Sequence, residues 1–347
     1  MILLQRARLT LGSLFITLIL LGCENQPREL SLSGLTMGTT YNIKLIVKVG
    51  ETIDEARLVA EIDSLLAEVN RQMSTYDPNS EISRFNRSNS DSLFPVSAGF
   101  AEVVRQSIEI SEITGQAFDI TINPLIQLWG FSSWDNLDLP KPPATAAIDS
   151  VLGIVGIDKI KIINNRLQKI DLLVTIDLNA IAKGYGVDKV AGLLEQKGIT
   201  DLLVEIGGEV YCKGLNAQQH PWRIGIDTPR LDAIPGQELR GIAEITNRGM
   251  ATSGDYRNYF KYEGKLYSHV LDPRTGYPVE TGVASVTVIA PHCIQADALA
   301  TALMVMGSEK GLDLIESLPD VEVMLILREG EDKFRTVKSS GMLVQEK

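Results

Sequence analysis

The strongest constraint on the fold is a series of short strand-like segments in the second half of the chain, most of them near hairpin distance from the next. Their alternating apolar residues and β-branched content are typical of strands. Parallel neighbours need long crossover connections, so this spacing favours antiparallel pairing. We therefore predict an α+β protein with mainly antiparallel sheets packed against helices. The segments cover residues 202–206, 222–226, 241–246, 265–270 and 284–290.

Apolar periodicity predicts most of the other elements. Asn164-Asn165 separates two strand-like segments, 159–163 and 167–173, and predicts a hairpin turn. Residues 117–124 predict an extended segment, and the proline-rich stretch 135–145 predicts a surface loop. Helices are predicted at 52–71, at 97–114, from 175 to about 197, at 296–306 and at 309–317, and further strands at 40–47 and 321–327.

The N-terminal segment predicts export and lipid anchoring. Arg6 and Arg8 precede an apolar run over residues 9–21, which is too short to span a bilayer comfortably and is typical of a signal peptide. The run ends at Gly22-Cys23 in a pattern that resembles the lipobox of bacterial lipoproteins; the alternative is an ordinary cleaved signal or a membrane-anchoring helix. We predict a lipoprotein facing the periplasm, anchored to the membrane through acylated Cys23. The predicted division is a signal peptide at 1–22, a lipid-anchored linker at 23–30 and a functional domain at 31–347.

Charge and cysteine content narrow the possible partners. The formal net charge of the 347-residue chain is −11, and loss of Arg6 and Arg8 with the signal peptide takes it to −13. Such a surface repels nucleic acid. In an oxidising compartment the remaining cysteines, Cys212 and Cys293, either pair or lie buried as small apolar residues, and the sequence leaves both possibilities open.

The common nucleotide-binding motifs are missing, so a ligand site has to be sought elsewhere. There is no phosphate loop, no Gly-x-Gly-x-x-Gly and no His/Cys spacing of a zinc site. Asp297 and Thr301 stand four residues apart in a predicted helix, so their oxygens share one face and can hold one hard cation. The alternative is that Asp297 caps this helix and Thr301 bonds back to the carbonyl at 297.

A second candidate site combines Asp177, Lys183 and nearby small residues. A helix start rich in small residues can approach a ligand closely, and Lys183 supplies a cation for phosphate oxygens. A buried salt bridge between Asp177 and Lys183 is the structural alternative. His269 lies at a strand end beside a turn, where a histidine is either structural or catalytic. Glycines at Gly207-Gly208-Glu209 and Thr252-Ser253-Gly254 either bring backbone amides against a ligand or form simple turns.

These segments belong to a longer ordered set of short motifs. The set comprises Thr36-Met37-Gly38-Thr39, Met73-Ser74-Thr75-Tyr76, Ser83-Arg84-Phe85-Asn86, Phe118-Asp119-Ile120-Thr121, Pro124-Leu125, Leu128-Trp129-Gly130-Phe131, Asp177-Leu178-Asn179-Ala180-Ile181-Ala182-Lys183-Gly184, Gly207-Gly208-Glu209, Thr252-Ser253-Gly254, Ser268-His269-Val270-Leu271-Asp272-Pro273-Arg274-Thr275-Gly276 and Ala296-Asp297-Ala298. In order and spacing it resembles the ApbE-type FAD:protein FMN transferases along nearly all of the predicted mature chain. An ordered set is far more specific than any one of its motifs.

The resemblance implies a fold, a reaction and roles for individual residues. The implied fold is ApbE-like and related to the T-fold, and the implied reaction is magnesium-dependent transfer of FMN from FAD to a Ser/Thr hydroxyl of a redox protein, with release of AMP. The implied metal ligands are the Ala180 carbonyl and the side chains of Asp297 and Thr301, and His269, with Asp297 assisting, is implicated in the reaction. The implied FAD-binding residues are Met37, Tyr76, Ala117, Phe118, Asp119, Asp177, Lys183 and Leu271.

Two other functions fit the same residues. Water in place of the acceptor hydroxyl would make the protein an FAD pyrophosphatase, and a site without turnover would make it a periplasmic flavin-binding lipoprotein. The acceptors implied by the resemblance are membrane-associated redox proteins, such as subunits of respiratory complexes.

Overall fold

The computed structural model describes residues 27–131, 141–230, 234, 236–256, 258–330 and 332–347. The predicted signal peptide, half of the linker including Cys23, and most of the predicted loop at 135–145 lie outside these residues. Among the helices of the described ranges, none is both long enough and apolar enough to span a bilayer.

The helices predicted from residues 52, 97, 296 and 309 begin within three residues of those positions. Side chains of Asp54, Ser80 and Ser97 accept hydrogen bonds from backbone amides three residues further on and so cap the helices that follow them. The helices are α1 (Glu55–Met73), α2 (Glu81–Arg87), α3 (Ala98–Ile113), α4 (Asn123–Leu128), α5 (Thr145–Leu152), α6 (Ala182–Gln196), α7 (Cys293–Met306) and α8 (Ser308–Ser317).

The strands form one large sheet and three small ones. The strands are β1 (Arg28–Thr36), β2 (Thr39–Val47), β3 (Phe94–Pro95), β4 (Ile160–Ile163), β5 (Arg166–Lys169), β6 (Leu202–Ile206), β7 (Glu209–Lys213), β8 (Trp222–Asp227), β9 (Leu239–Ile245), β10 (Arg248–Gly254), β11 (Tyr259–Tyr262), β12 (Lys265–Ser268), β13 (Val283–Ala290), β14 (Glu322–Arg328), β15 (Phe334–Lys338) and β16 (Val344–Glu346). The large sheet has the order β1-β2-β6-β7-β10-β13-β14-β15, and the small sheets are β11-β12, β16-β9-β8 and β3-β5-β4.

Every neighbouring pair in the large sheet is antiparallel, so the predicted α+β architecture with antiparallel sheets is confirmed. The predicted hairpin is also present as β4–β5. Its turn residues Asn164 and Asn165 both have positive φ, which is the conformation of a tight two-residue turn.

Two predicted elements differ from the structure for local reasons. Residues 117–124 are not extended, because the Asp119 carboxylate accepts hydrogen bonds from the amide and hydroxyl of Thr121 and starts a 3₁₀ helix that leads into α4. The helix predicted from residue 175 begins only at Ala182. The Asp177 carboxylate accepts the amide hydrogen of Asn179 at 2.7 Å, and this local turn competes with a helical start.

The core fills both faces of the large sheet. Strand β13 is buried at all eight positions, since its side chains alternate between two apolar clusters. Val286 and Val288 pack in the cluster that contains α7, whereas Ile289 packs in the cluster that contains strands β8 and β9. A helix such as α7 that is apolar nearly all round is typical of a buried helix.

The two described cysteines do not pair. Cys212 lies on β7 and Cys293 opens α7, and both are buried free thiols. Burial raises the pKa of both thiols above the usual value, as expected for inert cysteines that pack as small apolar residues.

Candidate functional site

A single cavity of about 810 Å³ collects the site residues that the sequence predicts. Its size falls in the range of about 300–1,000 Å³ that is typical of small-molecule sites. The walls come from the β1–β2 turn, the segments before α4 and α6, the start of β7, and helix α7. The predicted residues that line it are Met37, Tyr76, Ala117, Phe118, Asp119, Asp177, Ala180, Lys183, His269, Leu271, Asp297 and Thr301.

Two buried helices meet at the deep wall of this cavity and cap one another. The amide of Gly184 near the start of α6 donates to Asp297 Oδ2 on α7 at 2.9 Å. In return, Asp188 on α6 accepts hydrogen bonds from the amides of Cys293 and Ile294 at the start of α7, each at 2.9 Å. A carboxylate is favourable at a helix N-terminus because it satisfies free amides and complements the helix dipole. The exchange fixes how the two helices lie against each other.

The close approach of the helices depends on a glycine. A Cβ on Gly184 would lie 2.5 Å from the Cys293 carbonyl oxygen and 2.8 Å from Asp297 Cβ. The first is a backbone atom of α7 and the second is a Cβ fixed directly to that backbone. Neither can move aside unless α7 itself moves.

Gly184→Ala is therefore expected to destabilise the protein and push α7 away from α6. Overpacking of this kind costs about 1–3 kcal/mol, which a lower denaturation midpoint in urea or a lower Tm would report. A matched control is Gly192→Ala on the same helix, because nothing lies within 4 Å of a Cβ built there. Equal stability of the two variants would contradict the close-packing argument.

The predicted metal ligands are all oxygen atoms, and their surroundings leave them open to a cation. Asp297 does not cap α7, since the helix starts at Cys293 and Asp297 lies inside it. The Thr301 hydroxyl lies 3.0 Å from the Ser253 hydroxyl instead of bonding back along the helix. If α6 began one turn earlier, the Gly184 amide would donate to the Ala180 carbonyl oxygen. That amide donates to Asp297 instead, so it does not occupy the Ala180 carbonyl. One carboxylate, one hydroxyl and one carbonyl form a hard donor set that fits Mg²⁺.

Lys183 brings a positive charge to the same wall. Its ammonium nitrogen lies 2.7 Å from Glu209 Oε1 and 3.9 Å from Asp297 Oδ1. Burial alone would lower the pKa of Lys183, but the two carboxylates outweigh burial and raise it above the usual value, so Lys183 is charged. The alternative salt bridge with Asp177 is not the pair that forms: Asp177 accepts from Asn179, and Lys183 bonds Glu209.

His269 directly follows β12 and lines the cavity. Its Nδ1 lies 2.9 Å from the carbonyl oxygen of Asn258, which can only accept, so Nδ1 carries the proton and Nε2 of the neutral ring is free to take one. Burial lowers the pKa of His269 below its usual 6.5, and the Lys183 charge lowers it further against the opposing effect of the Asn258 bond. The geometry suits a proton acceptor.

The remaining predicted residues line the cavity from several loops. Met37 sits in the two-residue turn between β1 and β2 with a φ of 50°, and Tyr76 is 77% exposed at the mouth. Phe118 and Leu271 are buried apolar walls. Burial raises the pKa of Asp177 to about 6, while its bond from the Asn179 amide acts in the opposite direction.

Three residues contribute to the site in ways that sequence reasoning missed. The sequence pattern indicates Glu209 only as part of a glycine turn and Asn86 only as part of a motif, and it indicates no role for Asp188. Asn86 accepts the Ile176 amide and donates to the Ile176 carbonyl, both at 2.8 Å, and so anchors the segment before Asp177. Asp188 lies four residues after Gly184, hence on the same helix face, which was the one available signal.

Comparisons with known proteins show the family to which the chain belongs. The sequence profile of the ApbE family matches residues 37–325. A protein of Vibrio cholerae called FAD:protein FMN transferase is 45% identical over 93% of this chain and 95% of its own length. A Haemophilus influenzae protein of the same name is 39% identical over 94% of each chain. The solved structure of the flavin transferase ApbE from Vibrio cholerae superposes with a TM-score of 0.81 at 43% identity and covers 91% of this chain and 100% of that chain. The match spans the fold and the cavity, and the chain belongs to the ApbE family.

Proposed function

We propose that this protein is an FAD:protein FMN transferase, which moves FMN from FAD to a serine or threonine hydroxyl of another protein and releases AMP. One observation carries the proposal: the Lys183 ammonium, the His269 imidazole and the oxygen donors of Ala180, Asp297 and Thr301 line one cavity of about 810 Å³. The names of the relatives support the reaction class.

The cavity contains residues suited to bind the pyrophosphate and the ring systems of FAD. Lys183 holds a fixed positive charge that can neutralise pyrophosphate oxygens. Apolar side chains of Phe118 and Leu271 can pack against a flavin or adenine ring, and Tyr76 at the mouth can cover one end of the dinucleotide. When bound by Ala180, Asp297 and Thr301, Mg²⁺ would stabilise negative charge on the pyrophosphate.

The transfer itself is a phosphoryl-group exchange. The acceptor hydroxyl oxygen forms a bond to the phosphorus on the FMN side, the bridging P–O bond breaks, and AMP leaves with the bonding electron pair. His269 Nε2 takes the proton of the hydroxyl, because Nδ1 is held by the Asn258 carbonyl. Lys183 stabilises the charge that develops on the oxygens.

The lowered pKa of His269 predicts the pH dependence of transfer. The neutral ring is the form that accepts a proton, and it persists below the usual histidine pKa of 6.5. The rate of flavinylation is therefore expected to stay constant from pH 8 down through about pH 6.5, and to fall only as the pH passes through the lowered pKa. Initial rates at saturating FAD between pH 5 and 8 test this, with Tm measured at each pH as a control for unfolding. A rate that falls with a midpoint above 6.5 would contradict the assignment.

The same cavity would also suit an FAD pyrophosphatase or a flavin carrier without turnover, and one assay distinguishes these two functions from transfer. The purified domain is incubated with FAD and Mg²⁺, with and without an acceptor protein, and both AMP and covalently fluorescent protein are measured. AMP only with a labelled acceptor supports transfer, AMP without acceptor indicates an FAD pyrophosphatase, and neither product indicates a flavin carrier. Tyr76 lines the cavity, and its ring, once packed over one end of a bound dinucleotide, would limit access of water, which favours transfer.

We also propose that the protein works at a membrane surface on the periplasmic side. The apolar run at 9–21 and Gly22-Cys23 support a lipid anchor, which would hold the domain near membrane-associated redox proteins such as respiratory-complex subunits. Metabolic labelling with a radioactive fatty acid tests the anchor, and a Cys23→Ala variant that is labelled equally would refute it.

A further inference from the structure

The Lys183 ammonium lies between two buried carboxylates at unequal distances. It is hydrogen-bonded to Glu209 at 2.7 Å, whereas Asp297 Oδ1 stands off at 3.9 Å. Both carboxylate side chains are almost fully buried, with exposures of 5% and 4%. In such an environment opposite charges attract strongly, so the position of the ammonium depends on which carboxylate holds it.

Glu209 is held in place by the backbone of its turn. It opens β7, directly after Gly207 and Gly208, which both have positive φ, and it pairs with Ile206 across the hairpin. A Cβ on Gly207 would lie 2.8 Å from the Thr39 side chain and 3.4 Å from Lys183 Cδ, so the turn passes beside the lysine stem. The second oxygen of Glu209, Oε2, is buried and has no hydrogen-bond partner among the described residues.

The unequal distances matter because Asp297 is also the one carboxylate of the proposed Mg²⁺ set. Its Oδ2 is already bonded to the Gly184 amide, which leaves Oδ1 as the oxygen that a cation can take. An ammonium that moved about 1 Å toward Oδ1 would form a full ion pair and occupy that oxygen. Lysine is flexible enough for such a movement, since its four-carbon stem has several rotatable bonds.

We infer that Glu209 is a positioning residue that holds the Lys183 ammonium away from Asp297 and thereby keeps Asp297 Oδ1 open for the divalent cation. The inference rests on the proposed function, because it concerns the same metal site. Glu209 affects the metal site by holding Lys183, and it does not contact the metal itself.

The test measures Mg²⁺ binding instead of turnover. Mg²⁺ is titrated into the full domain with FAD present, by calorimetry, in the parent and in Glu209→Gln, which keeps the shape of the side chain but removes its charge. The dissociation constant for Mg²⁺ is expected to rise at least about tenfold, as for other residues that support a metal ligand. An unchanged constant would overturn the inference.

A second variant separates positioning from a general structural effect. In Lys183→Met/Glu209→Gln no ammonium is left to occupy Asp297, so Mg²⁺ affinity is expected to recover toward that of Lys183→Met alone. If Glu209→Gln weakens binding equally with and without Lys183, then Glu209 acts by itself on the metal and the inference is wrong. If the parent does not bind Mg²⁺ at all, the proposed metal site fails first and the inference falls with it.

A matched control removes the same kind of ion pair elsewhere. Glu195 bonds Lys213 at 2.7 Å, the same distance as in the Glu209–Lys183 pair, but both side chains are about one-third exposed and neither lines the cavity. Glu195→Gln is expected to leave Mg²⁺ affinity unchanged. A loss of affinity in that variant equal to the loss in Glu209→Gln would show that net charge alone is responsible and would overturn the inference.

Discussion

Replacing Asp297 with asparagine is expected to abolish flavinylation while the protein stays folded. An asparagine oxygen can still accept the Gly184 amide hydrogen, so the contact between α6 and α7 persists. The only carboxylate of the proposed Mg²⁺ set is lost, however, and metal assistance of several kcal/mol disappears with it, which corresponds to a rate decrease of about 10³-fold or more. The measurement is the initial rate of covalent flavin fluorescence on a denaturing gel, together with AMP release.

Two further variants make this result interpretable. Asp297→Ala loses the bond from Gly184 as well, so it should be both inactive and less stable than Asp297→Asn by about 1–3 kcal/mol. Asp313→Ala on α8 removes an exposed carboxylate that does not line the cavity and should retain full activity. Normal transfer by Asp297→Asn at low Mg²⁺ would refute the metal assignment.

The parts of the fold that the sequence predicts are those set by local geometry. The antiparallel class of the sheets is predicted from the short spacing of the strand-like segments, whereas the order of the large sheet is not, because pairs such as β2–β6 join distant parts of the chain. The asparagine pair at 164–165 suits the positive φ values of its turn. Asp297 and Thr301 share a helix face because residues four apart always do. For the asparagine turn and for this helix face the deciding interactions lie within a few residues, so no knowledge of the tertiary structure is needed.

The elements that the sequence mispredicts are those where a side chain bonds its own backbone. Asp119 and Asp177 each accept an amide two residues ahead, and each local turn replaces the element that the apolar pattern suggests. The free energy of such a turn differs little from that of a helix or strand at the same residues. The pattern of apolar residues does not indicate which of them forms.

The parts of the site that sequence reasoning missed depend on distant contacts. Glu209 and Lys183 form a hydrogen bond although they are 26 residues apart in the sequence, and Asp188 and Cys293 do so although they are 105 residues apart. Neither pair has a spacing that a helix or strand would produce. The structure also decides between alternatives that the sequence left open, since Asp297 lies inside α7 and Lys183 bonds Glu209 instead of Asp177.

Replacing His269 with alanine is expected to lower the rate of flavinylation by about 10²–10⁴-fold, the usual contribution of a positioned general base. Binding of FAD should change little, because the loss concerns a proton transfer that occurs only when the acceptor hydroxyl reacts. The rate is followed as flavin fluorescence of the acceptor on denaturing gels, and FAD affinity is measured separately by quenching of flavin fluorescence without acceptor.

A histidine elsewhere and the pH profile distinguish this role from a structural one. His220 is exposed and does not line the cavity, so His220→Ala should transfer FMN at the parental rate. If His269 takes the proton, the residual rate of His269→Ala should lose the decrease at low pH that the parent shows, because the group whose titration causes it is gone. A parental rate in His269→Ala, or an equal loss of FAD affinity and transfer, would remove His269 from the chemistry and leave it as a wall of the binding site.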